Sequence, residues 1–202
     1  MTITFPLTAP TEPAPRTFDL DWVSASGISK SPYTGEMQSY TTRRLNWAAS
    51  VEMPPMKDST DGRKWHGFFV ALDGKVGTFY MGLPDHAHPA GTERQNFQLA
   101  STADERARTI SVQGMTADAT LLRGDMMQIS NRLYMVAEDM AADGSGLGTI
   151  KLSHGMRAVA NGLTNVIVIN PSGKWRMTSS SARRSTDQAN IAYVSFAMEE
   201  AL

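Results

Sequence analysis

The sequence predicts a mainly β protein in which one α-helix packs across a sheet and a middle segment is inserted as a small barrel or sandwich. Three observations carry this. Two early segments alternate polar and apolar residues with the period of a half-buried strand. One segment alone repeats its apolar residues at helical spacing. Between about residues 97 and 171, short apolar runs are separated by turns bearing Gly and Asp, the pattern of a small all-β domain.

The first strand is expected over residues 17–23, with Phe18, Leu20 and Trp22 on one face and Asp19 and Asp21 on the other. Residues 26–36, SGISKSPYTGE, hold two glycines and a proline among small polar residues and read as a loop into a further strand at 37–42. The cleanest alternation covers 44–53, where Leu45, Trp47, Ala49, Val51 and Met53 share a face and Asn46, Ser50 and Glu52 oppose them. Pro54 and Pro55 end it.

The helix is expected at about 59–72, because Trp65, Phe68, Phe69 and Leu72 form one apolar stripe. Asp58 or Ser59 is placed to cap its first turn, and Gly74 to stop it in the left-handed conformation. A strand resumes at 78–81, and the polar loop 83–94 is a domain boundary by composition. Strands follow at 109–113, 126–129, 132–137, 149–152 and 166–169. After Gly173 come strands at 174–178 and 190–198; the last, NIAYVSFAM, is apolar at nearly every position and reads as buried on both faces. Such a strand needs partners already in place, so it is expected to rejoin the first sheet. The predicted partition is 1–96 with 173–202 as an outer core, and 97–172 as the insert.

Composition narrows the function classes. The 202 residues suffice for one domain or two small ones, and no apolar run approaches the roughly 20 residues of a membrane-spanning helix. The first residues lack a basic start or an apolar block, so no export signal and no membrane insertion are expected. Nineteen basic residues stand against 20 acidic ones, with no basic stripe interleaved with aromatics, which argues against nucleic acid as a partner. The chain has no cysteine, so disulfides, thiolate metal sites and a cysteine nucleophile are excluded.

Several segments together resemble a known family. They are TFPL at 4–7, SPYTGEMQSY at 31–40, the Trp47 strand running into MPPM at 53–56, and LDGKVGTFYMGLP at 72–84. Further along are LLRGDMMQI at 121–129, LYMVAEDMAADGSGLGTI at 133–150, MRAV at 156–159, the strand at Trp175 to Met177, and YVSFAMEEAL at 193–202. In this order the chain resembles the distal tail or minor tail proteins of long-tailed, siphovirus-type phages and prophages. The resemblance implies a β-sandwich core with an inserted β-barrel-like domain. It also implies a structural virion protein at the phage tail tip, assembled in the host cytoplasm. Its partners would be itself in a homohexameric ring, the tail tube, and the tail-tip hub or baseplate proteins. It implies no enzyme activity and no cofactor.

The chemistry-bearing clusters give no competing active site. Asp85, His86 and His88 offer a His-x-His pair with a carboxylate, the basis of a metal-dependent hydrolase reading, but no third histidine stands at ligand spacing and a solvated loop is the plainer reading. Asp139, Asp143 and Gly144 imitate a calcium loop, yet Ala141 holds the third position and Ile150 the twelfth, so residues 143–146 read as a hairpin turn. Gly124-Asp125 is expected to be a turn, and neither His66 nor His154 has a neighbour that suggests a role. Arg183 and Arg184, within TSSSARRS at 178–185, read as a solvated polar loop, with carboxylates of a neighbouring subunit as the other option. Met126, Met127, Met135, Met140, Met156 and Met177 read as filling gaps in the core, with a subunit boundary as the other option for some of them. No P-loop, G-x-S-x-G elbow or H-E-x-x-H helix occurs. The catalytic, cofactor and metal sites are therefore all set to none. The competing function is a tail-associated carbohydrate-binding module, with the insert presenting Tyr134 or Trp175 to the host surface.

Overall fold

The computed structural model describes residues 3–180 and 182–201, and every side chain within them except those of 24–26, 41–45, 58 and 183. The fold is mainly β with a single α-helix among the described residues. Spatial contacts divide the chain into two compact units, one of Met1–Asp21, Trp47–Asp85 and Ser172–Leu202, the other of Trp22–Asn46 and His86–Pro171. The divisions fall at Asp21/Trp22, Asn46/Trp47, Asp85/His86 and Pro171/Ser172, so that residues 22–46 group with the second unit.

The first unit is built on strands Leu7–Thr8 (β1), Thr17–Lys30 (β2), Met37–Glu52 (β3), Met56–Lys57 (β4) and Thr78–Gly82 (β5), whose β2 and β3 run on into the second unit. The alternation holds over 47–53: Trp47, Ala49, Val51 and Met53 are buried, while Ser50 and Glu52 face out; Asn46 is half-buried, and the Leu45 side chain lies outside the described residues. Two expectations change here. Residues 26–30 continue β2 instead of forming a loop, and 37–42 and 44–52 are one strand. Gly27 and the small polar residues around it did not break the strand, because a hairpin partner satisfies its backbone on one side.

The helix Arg63–Ala71 (α1) follows one turn of π-helix at Asp58–Gly62. The expected cap at Asp58 or Ser59 is not how it starts: Lys57 is the N-cap of the π turn and Gly62 that of α1, and neither makes a side-chain cap hydrogen bond. Gly74 does adopt the left-handed conformation, at φ +64°. Trp65, Phe68 and Leu72 are buried and Phe69 is half-buried. Their partners are on the sheet, with Phe68 edge-on to Phe79 of β5 at 5.4 Å between ring centroids.

In the second unit the strands are Phe97–Leu99 (β6), Thr109–Gln113 (β7), Thr120–Leu121 (β8), Met126–Ile129 (β9), Arg132–Met135 (β10), Met140–Ala141 (β11), Gly148–Lys151 (β12) and Asn165–Ile167 (β13). Six of them hydrogen-bond in the order β10-β9-β13-β6-β7-β12, and β11 pairs with β8 alone. The two ends of the six-stranded order meet. Just past β10 and β12, Val136 and Leu152 form an antiparallel bridge. There Ala137 N donates to Lys151 O at 2.8 Å and Ser153 N to Met135 O at 2.9 Å. This joins the two ends of the sheet at that point and curls it into a barrel-like form. Phe97, Leu99, Val112, Ile129, Tyr134 and Val166 are among the residues that fill the interior.

The chain then returns to the first unit through Ser172–Met177 (β14), Arg183–Thr186 (β15) and Ile191–Glu200 (β16). The closing strand sits centrally: β16 pairs with β14 and β15 on one side and with β3 and β4 on the other, for example Phe196 opposite Val51 and Ala192 opposite Met56. It is not buried on both faces, however. Ala192, Val194, Phe196 and Met198 are buried, whereas Tyr193, Ser195 and Glu199 face outward, because the helix covers one face of the sheet only. The polar segment expected as a loop at 178–185 is strand from Arg183 onward, paired with β16. No helix among the described residues is long and apolar enough to cross a membrane.

Candidate functional site

The surface feature least explained by folding is the hairpin of β2 and β3. Its turn is closed by backbone hydrogen bonds from Ser31 N to Glu36 O at 2.9 Å and from Gly35 N to Ser31 O at 3.0 Å. The Ser31 hydroxyl oxygen accepts from the amides of Tyr33 and Thr34, and Gly35 supplies a φ of +72°. Beyond the core, the alternation that buries Phe18 and Leu20 halfway stops protecting its apolar residues. Trp22, expected to share that half-buried face, is 63% exposed, and Ile28 and Tyr33 at the far end are 72% and 96% exposed.

Trp22 and Ile28 are six residues apart and so lie on one face of a regular strand; Val23 and Gly27 lie on the other. There the Tyr40 ring occupies the space a side chain at Gly27 would need. Val23, Met37 and Tyr40 are exposed as well. The hairpin thus presents apolar groups on both faces. Strand β2 also ends the hydrogen-bonded order of its sheet, leaving its outer edge open among the described residues. An open edge with large exposed apolar side chains is a template for pairing with another chain.

The residues singled out by sequence do not assemble into a centre. Asp85 and His86 lie on a single 3-10 turn, Pro84–His86, with His88 exposed beyond it. No group of three His, Cys, Asp or Glu placed to hold a metal occurs among the described residues. Asp139 accepts the Arg123 amide at 2.7 Å, and Asp143 accepts the amides of Ser145 and Leu147 at 2.8 and 2.9 Å. These carboxylates therefore tie down loops. Residues 143–146 do form a turn, but it joins β11 to β12, which belong to different sheets, so it is not a hairpin. Tyr134 and Trp175 are both buried, the first inside the barrel-like unit and the second donating its indole N–H to Met81 O at 3.1 Å. Neither can serve as an exposed sugar platform. For the arginine pair, the Arg183 side chain lies outside the described residues and Arg184 is half-buried on β15. Met126, Met127, Met156 and Met177 are buried, and Met140 packs half-buried against the barrel core.

Three polar groups, Glu93, Asp125 and His154, are buried without a local sequence pattern that marks their burial. Glu93, fully buried, accepts the amides of Arg94, Gln95 and Thr116 and the Thr116 hydroxyl, at 2.8–3.0 Å. Asp125 accepts the amides of Ala90, Gly91 and Leu122, so the Gly124-Asp125 turn anchors the segment at 90–91. His154 stacks on Tyr134 with ring centroids 5.1 Å apart, and its Nδ1 lies 3.3 Å from the Ser153 hydroxyl. Burial first, and the nearby Arg157 charge second, lower its pKa from 6.5 to about 4. A His on a bend between Ser153 and Gly155 carries no sequence signal for such burial. All three groups build the second unit and none faces a cleft with a reacting partner.

No protein-family model matches the chain, and no curated protein matches it.

Proposed function

We propose that this chain is a structural subunit of the tip of a long, non-contractile phage tail. Copies of it would associate into a homohexameric ring that joins the tail tube to the tip or baseplate proteins. The observation that carries the reading is the β2–β3 hairpin, with apolar side chains exposed on both faces and a sheet edge open to pairing. A lone subunit gains nothing by presenting Trp22, Ile28 and Tyr33 to water; a ring of repeated subunits buries them against neighbours through one heterologous contact that closes. The ordered family resemblance over most of the chain supplies the location and the ring symmetry. The reading assigns no reaction and no cofactor to the protein.

Sedimentation of the wild type beside a Trp22→Asp, Ile28→Asp double variant tests it. The wild type should sediment as a closed oligomer and the variant as a monomer with an unchanged thermal melt, since neither side chain supports the core. An oligomer that survives the double substitution intact would remove the hairpin from the interface.

A further inference from the structure

A row of three carboxamides crosses the outside of the barrel-like unit. Asn165 of β13 stands directly opposite Gln98 of β6, and Gln98 directly opposite Gln113 of β7. Their neighbours Val166, Phe97, Leu99 and Val112 point inward and are buried, which turns all three amides outward on adjacent strands. The row floors a concavity of about 660 Å³, walled by Asn96, Ser145 and the half-exposed Leu147. That volume lies within the usual range of small-ligand sites, about 300–1,000 Å³. One internal hydrogen bond, Gln98 Nε2 to Asn165 Oδ1 at 3.1 Å, aligns two of the amides. It leaves Gln98 Oε1 as an acceptor and Asn165 Nδ2 as a donor. The Gln113 carboxamide makes no side-chain hydrogen bond among the described residues.

We propose that this groove binds a neutral oligosaccharide. Each carboxamide presents both a donor and an acceptor, which matches a hydroxyl group acting as both. The lining holds no Lys or Arg for a phosphate or carboxylate, and no Asp or Glu for a cation or amine. It offers no exposed aromatic ring for a nucleobase, since Phe97 is turned into the core. A peptide would add at a strand edge, whereas β13, β6 and β7 are all interior strands of the order. Leu147 supplies an apolar patch for the C–H face of a sugar ring. The site lies within the second unit and does not depend on ring formation.

The test is calorimetric titration of the full chain with maltohexaose, cellohexaose, xylohexaose and chitohexaose, with a heparin-derived hexasaccharide and a neutral peptide as contrasts. At least one neutral hexasaccharide should bind once per chain. Gln98→Ala with Gln113→Ala should weaken it about tenfold or more, as expected for two lost hydrogen bonds, while the chain still melts cooperatively, since Gln98 is exposed and the half-buried Gln113 lies outside the core. Asn165→Ala alone should weaken it less. Absence of binding by all four neutral hexasaccharides overturns the proposal, as does binding that the double variant leaves within about twofold. Preference for the anionic saccharide or the peptide overturns it equally.

Discussion

Phe69 of the helix and Phe196 of the closing strand lie with ring centroids 4.9 Å apart and their planes at 60°. The contact ties the helix, in the first half of the sequence, to strand β16, and Trp65 joins it at 5.9 Å from Phe196. The two rings should be energetically coupled. A double-mutant cycle with Phe69→Leu and Phe196→Leu is expected to give about 0.5–1.5 kcal/mol of interaction beyond the single losses. Phe68→Ala, which empties a buried site between Trp65 and Phe79, should cost about 3–5 kcal/mol in denaturant unfolding. Unchanged unfolding in that variant would contradict packing of the helix on the sheet.

Glu93 should be a strong stability determinant of the second unit without any part in binding. Glu93→Ala leaves three part-buried backbone amides without their acceptor and is expected to cost on the order of 1–3 kcal/mol. Glu93→Gln retains an oxygen for the bonds now made to Oε1 but sets an N–H against the Thr116 amide, so it should recover part of that loss. Equal melts for Glu and Ala would show that the carboxylate is not the organiser of this loop.

His154 gives the stability a pH dependence of definite sign. Its folded pKa, about 4, lies below the unfolded value of 6.5, so between these values the unfolded chain binds the extra proton. The contribution is fully present above pH 6.5 and is lost as the pH falls toward 4, up to about 3 kcal/mol for a shift of this size. Urea midpoints for the wild type should therefore drop over this window more steeply than those of His154→Gln. Parallel profiles would contradict the buried neutral imidazole.

The alternating strands and the helix stripe were legible because burial on one face imposes a period on the sequence. Trp47, Ala49 and Val51, or Trp65, Phe68 and Leu72, show that period directly. The central place of β16 followed from its apolar content, but its one-sided burial did not. Tyr193 and Ala197 are apolar residues on a face that the structure leaves partly open. Strands of two residues, such as β4 and β11, exist only because a partner is already in place, and leave no local pattern. The continuation of β2 through Gly27 was hidden for the same reason: the hairpin partner, and the Tyr40 ring over the glycine, supply what local propensity does not. The amide row was invisible because Gln98, Gln113 and Asn165 meet only through strand register.

The closing strand should be indispensable. Because β16 is flanked on both sides by strands, deletion of residues 191–202 removes the pairing of β3, β4, β14 and β15 at once. The truncated chain should lack a cooperative melt. A cooperative transition in that variant would mean the sheet is held without its central member.

Self-assembly through the hairpin is the centre of the functional account, and native mass spectrometry of the purified chain addresses it most directly. A dominant closed hexamer of the 22.0 kDa subunit is expected, with no open series of larger species, as a ring that completes itself requires. A monomer at every concentration reached, with the hairpin residues intact, would contradict it.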